Sequence, residues 1–80
     1  MKIKEAVVCR VRQLCKEKGM NPNTLAVSAG VTPSTVYSML DRNRKDLSII
    51  TLKKIIDGLD VSLGEFFSTP EFDSLEQEIE

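Results

Sequence analysis

The chain has 80 residues, 41% of them hydrophobic and 29% charged, which suffices for one compact domain, leaves no room for a second, and argues against general disorder. Its net charge of −1 hides an asymmetry: residues 1–67 hold all eleven cations against seven carboxylates, a net +4, whereas residues 68–80 hold five carboxylates and no cation. No apolar run approaches the roughly 20 residues that span a bilayer, and charges interrupt the opening MKIKEAVVCRVRQL, so neither a membrane partner nor a secretory leader is expected and the expected location is the cytoplasm.

In chain order, Ile3, Val7, Val11 and Leu14 recur at helical spacing and predict a first helix over about residues 3–18, ended by Gly19. Cys9 and Cys15 share that helix. Six residues of rise separate them by about 9 Å, beyond the reach of a disulfide. With no histidine and no CxxC spacing, no metal site and no cofactor are expected.

Asn21-Pro22 is a cap followed by a residue preset for the first helical position, and Gly30 can end the short helix it opens. Thr32-Pro33 repeats the signal and opens a third helix through about Leu40, with Val36, Met39 and Leu40 facing inward. Small or apolar residues at the crossing, Ala26, Val31 and Val36, let the two short helices pack steeply and the second protrude. The outward residues of that second helix, Pro33, Ser34, Thr35, Tyr37 and Ser38, include no acidic group, as a helix entering the major groove of DNA requires.

The polar run Asp41-Arg42-Asn43-Arg44-Lys45-Asp46 reads as a surface loop. Leu52, Ile55, Ile56 and Leu59 form the apolar stripe of a fourth helix, and Ser62 caps a short fifth one carrying Leu63, Phe66 and Phe67. Thr69-Pro70 opens a sixth helix or an acidic tail. Phe72, Leu75 and Ile79 would form its stripe, and this stripe is expected either to cover the core or, by preference, to join two subunits.

Taken together, Leu25-Ala26, Ala29-Gly30-Val31-Thr32, Thr35-Val36, Thr51-Leu52-Lys53-Lys54-Ile55 and Leu59-Asp60-Val61-Ser62-Leu63-Gly64-Glu65-Phe66-Phe67 resemble the Cro/C1-type, or XRE, family of helix-turn-helix regulators of bacteria and phages. The resemblance covers about residues 3–67. It implies an all-α, five-helix, lambda-repressor-like DNA-binding domain over residues 1–67, with a short acidic C-terminal helix or tail over 68–80. It also implies that the third helix reads bases, which makes Thr32, Pro33, Ser34, Thr35, Tyr37 and Ser38 candidate base contacts.

Two departures from the family pattern matter. Many members carry Gln at the first residue of helix 2 as a phosphate contact, where this chain has Pro22; Asn23 is the available substitute. Members also commonly have Gly in the loop after helix 3, where this chain has Arg42, Arg44 and Lys45, three candidate phosphate contacts. The same cations fit an ordinary solvated loop, and Tyr37 also fits a packing role.

The expected function is therefore that of a sequence-specific regulator of transcription, a repressor, binding double-stranded DNA as a homodimer. The alternative is an antitoxin-like protein-interaction module with an accessory helix-turn-helix. No small-molecule ligand is evident. With no histidine, no Gly-rich phosphate loop and no clustered carboxylates in residues 1–67, the chain is not expected to be an enzyme.

Overall fold

The computed structural model describes residues 1–79, and among these it has six helices and no strand. They are α1 (Ile3–Lys18), α2 (Pro22–Ala29), α3 (Pro33–Leu40), α4 (Ile49–Gly58), α5 (Leu63–Phe66) and α6 (Pro70–Asp73). Glu80, counted above in the acidic tail, lies outside the described residues.

The helix boundaries follow local chemistry. Asn21 and Thr24 exchange hydrogen bonds in a full capping box at the start of α2, Thr32 accepts from the Thr35 amide at the start of α3, and Ser62 does the same for Glu65 at α5. Gly30 ends α2 with φ +70°, and the Val31 amide then reaches back to the Ala26 carbonyl at 3.0 Å. This left-handed closure reverses the chain sharply, so α3 leaves α2 after only three intervening residues, Gly30, Val31 and Thr32.

The core is aliphatic. Leu25, Ala26, Val36, Ile55, Ile56, Leu59 and Phe66 are completely buried, and Val7, Val8, Val11, Leu14, Met39 and Leu40 close it. Complete burial of a side chain of this size contributes about 1.5–3 kcal/mol. Gly58 lets α4 pass directly over the end of α2, where a side-chain carbon would lie 2.8 Å from the backbone of Ala29. The first-helix stripe forms except at its start, because Ile3 remains exposed while Ala6 and Val8 are buried beside Val7.

Arg10 of α1 reaches across to the end of α5, donating to the carbonyls of Phe66 and Glu65, each at 2.8 Å. These are the carbonyl groups that a helix leaves unpaired at its C-terminus. The guanidinium thus serves as a distant cap.

The tail departs from the expected continuous stripe. Helix α6 is a single turn, and the chain from Leu75 to Ile79 is not helical. Carboxylates crowd this segment, with Asp73 at the negative end of the turn and no cation to offset them. Phe72 turns inward against Phe67 and Phe66, with ring centroids 4.9 and 6.0 Å apart. Ile79 is exposed. Phe72 and Ile79 therefore do not lie on one helical stripe, and Phe72 packs against the domain's own core.

Residues beyond α6 lie along the beginning of α1. The Glu76 amide donates to the Met1 carbonyl at 3.1 Å, and the Glu76 carboxylate accepts from the Met1 ammonium at 2.6 Å, which holds its pKa below the usual carboxylate range. Glu78 accepts from the Ile3 amide at 3.4 Å. Lys2, at the N-cap of α1, offers no side-chain cap. The tail supplies the missing acceptor.

Candidate nucleic-acid interface

Helix α3 carries no charged residue. Burial of Val36, Met39 and Leu40 fixes its rotation, so Pro33, Ser34 and Tyr37 are exposed and Thr35 and Ser38 half-buried at the edge of the outward face. At its tip, Thr32 Oγ1 lies 3.0 Å from both Ser34 Oγ and Thr35 Oγ1. Three hydroxyl groups are thus linked before any ligand arrives; Thr32 Oγ1, which also accepts from the Thr35 amide, is fully engaged, while those of Ser34 and Thr35 keep capacity to donate or accept outward.

Beside this face runs a groove of about 270 Å³, lined by Ser34, Thr35 and Ser38 of α3, by Arg44, Asp46 and Leu47 of the following loop, and by Ser48 and Thr51 at the start of α4. Of the four phosphate candidates, Arg44 is the one that lines this groove beside α3. Arg42 and Lys45 are exposed elsewhere on the same loop, and Asn23 is exposed in the first turn of α2; none of the three lines the groove. Thr32, Pro33 and Tyr37 stand outside the groove as well, the first two at the N-terminal tip of α3 and Tyr37 with half its surface exposed.

The loop has its own architecture. The Asp41 carboxylate accepts from the Asn43 amide at 2.9 Å, and the Asp41 carbonyl accepts from the Arg44 amide at 3.2 Å. From α1, Lys4 Nζ donates to the carbonyl oxygens of Asp41 and Arg44 at 3.2 and 2.7 Å. The loop also extends beyond the polar run, since Leu47 packs against the core and Ser48 caps α4.

Sequence reasoning passed over Lys4, Asp46, Ser48 and Thr51. Ser48 had a legible signal, a serine opening a helix. The Lys4 contact joins residues 37 and 40 positions apart, for which neither periodicity nor a local motif gives warning.

Cys9 and Cys15 are free thiols, and burial pushes the pKa of Cys15 up, which favours the unreactive neutral form. Among the described residues no group of three or more His, Cys, Asp or Glu is arranged to hold a metal ion. No helix there is long and apolar enough to cross a membrane.

Two short helices joined through a left-handed glycine, the second presenting an uncharged, hydroxyl-bearing face beside a cationic loop, define a helix-turn-helix DNA-binding domain. The profile of the Cro/C1-type HTH DNA-binding domain matches residues 10–71, and the chain belongs to that family. The match begins within α1 and ends in α6, so it takes in all of the helix-turn-helix. Neither a curated protein nor a solved structure gives a significant match to the chain. Family membership makes this a DNA-binding regulator of transcription.

Proposed function

We propose that the chain is a sequence-specific repressor that binds double-stranded DNA as a homodimer, inserting α3 into the major groove. Residues 1–67 form the binding domain and 68–80 its acidic tail, of which Glu76 and Glu78 bond to the start of α1. The observation that carries this reading is a groove lined by Ser34, Thr35 and Ser38 of α3 together with Arg44 of the following loop. A base edge and the neighbouring phosphate are met together by such a surface: short hydroxyl side chains let the helix backbone approach the bases, and a guanidinium at the margin neutralises the strand.

In this reading Ser34, Thr35 and Ser38 contact base edges. Thr32 and Pro33 approach from the tip, and Tyr37 offers its ring to a thymine methyl or its hydroxyl to a phosphate. Arg44, Lys45 and Arg42 neutralise phosphates, and Asn23 approaches the strand from the start of α2. Two copies with their α3 helices one DNA turn apart, about 34 Å, read a palindrome. Repression requires no more than occupation of that site.

The test is selection of binding sites from random DNA, followed by titration at several salt concentrations. A two-fold symmetric motif and an affinity that falls with salt are expected, since displaced counterions accompany each neutralised phosphate. Failure to enrich any sequence, with a flat salt response, would transfer the helix-turn-helix to an accessory role in a protein-interaction module.

A further inference from the structure

We infer that Lys4 is a positioning residue for DNA binding, acting through the loop that carries Arg44; the inference rests on the reading of that loop as a phosphate contact. Lys4 stands in the first turn of α1, where the helix dipole disfavours a cation and solvent offers it an easy alternative. Its ammonium turns instead to the Asp41 and Arg44 carbonyls, at 3.2 and 2.7 Å. Charge-assisted donation to carbonyl oxygens is stronger than a neutral hydrogen bond. Two donors on one nitrogen tie together the two ends of the four-residue turn Asp41 to Arg44.

Arg44 is thereby held on both sides of its Cα. Its amide donates to the Asp41 carbonyl, and its own carbonyl accepts from Lys4. Arg42 and Lys45 accept no bond from Lys4 and lie outside the groove. Arg44, the loop cation whose backbone Lys4 grips, is also the loop cation that lines the groove with Ser34, Thr35 and Ser38, its Nε 4.0 Å from the Asp41 carboxylate. Lys4 thus holds the backbone from which the Arg44 side chain projects, beside the α3 hydroxyl groups that a rigid duplex must meet at the same time. Such surfaces tolerate displacements of only about 0.5 Å.

The experiment compares the full chain with Lys4→Met, Lys4→Arg, Arg44→Ala and the Lys4→Met/Arg44→Ala double variant. Amide exchange across residues 42–45 is measured in the free protein, and affinity for a random-sequence duplex is measured against salt. Lys4→Met is expected to speed exchange at Asn43 and Arg44 and to weaken binding about tenfold, the scale of re-ordering one loop residue. Its salt slope should fall by about 1, as one phosphate contact is lost. Lys4→Arg, which keeps a cationic donor, should restore all three. Because Lys4 acts through Arg44, the double variant should bind no more weakly than Arg44→Ala alone and lose no further slope. Additive losses would make Lys4 a direct phosphate contact and overturn the assignment, as would unchanged exchange or unchanged affinity in Lys4→Met. If Arg44→Ala itself is neutral, the phosphate reading of the loop fails and the role of Lys4 falls with it. Weakening by Arg44→Ala but not by Lys4→Met refutes the positioning role alone.

Discussion

Replacing Gly58 by alanine tests how closely α4 and α2 depend on one another. The new Cβ would lie 2.8 Å from the Cα, Cβ and N atoms of Ala29. Two of those three are backbone, so no side-chain rotation relieves the contact. Ordinary carbon contact begins near 3.6 Å, which requires the helices to part by about 0.8 Å. Overpacking of this kind costs about 1–3 kcal/mol. The gain from replacing glycine in a helix is at most about 1 kcal/mol, and it is smaller at the final residue of α4. A net loss of about 1–2 kcal/mol follows, or a fall in Tm of about 4–16 °C for a domain of this size. Ala29 is also the last residue of α2 before the turn into α3, so the displacement should carry to the recognition face and weaken DNA binding in the folded protein. Thermal and urea denaturation followed by circular dichroism measures the first effect, and titration well below Tm the second. Adding Ala29→Gly should recover only part of the loss, because the Cα and N contacts remain. A Gly58→Ala protein that melts at or above the parent would refute the close-contact argument.

Ser34→Ala should alter preference at one base pair by about 1–3 kcal/mol if its hydroxyl reads that pair; an unchanged selected motif from a normally folded variant removes Ser34 from the contacts. Arg44→Ala with Lys45→Ala should weaken all sequences alike and flatten the salt slope by about 1 per true contact, and retention of the parent slope contradicts the assignment. Asp60 holds φ +58° at the end of α4, a conformation that glycine adopts freely, so Asp60→Gly should stabilise by about 0.5–1 kcal/mol in urea melts; a loss of stability would show that its side chain matters more than its backbone. Phe72→Ala should cost about 1.5–3 kcal/mol by uncovering Phe66 and Phe67, while leaving the mass in solution unchanged. A change in oligomeric state instead would return the tail to a role between subunits.

What the sequence made legible is what is decided within about four residues. The Asn21-Pro22 and Thr32-Pro33 starts, the Gly19 and Gly30 stops and the α4 stripe are local, because a cap or a helical face is formed by near neighbours. The contacts of Lys4 with the loop and of Arg10 with α5 were not legible, because a long cation shows nothing of its eventual partner in the residues beside it. Gly58 gave no signal either, since the reason for its missing side chain lies in α2. The tail misled in a different way. Phe72, Leu75 and Ile79 have helical spacing, but spacing registers apolar positions alone and ignores the accumulated carboxylates that oppose a longer helix. The same limit applies to the candidate site: the order of the third-helix residues makes their outward placement legible, whereas the placement of Arg44, rather than Arg42 or Lys45, beside them required the fold.

The reach of Arg10 to α5 also bears on the order in which the chain organises itself. Its two hydrogen bonds close loops of 55 and 56 residues, an entropic cost of about 3.5 kcal/mol that must be met before those contacts reward it. Contacts between α2 and α3 span far shorter stretches and can form first, but isolated eight-residue helices are too short to persist on propensity. They become lasting only when packed into the core, where Leu25, Ala26 and Val36 are completely buried. Helix α3 is consequently not a portable part: excised with its turn, or made in a chain halted before Leu63, it would be a fluctuating peptide, and its geometry belongs to the cooperative whole.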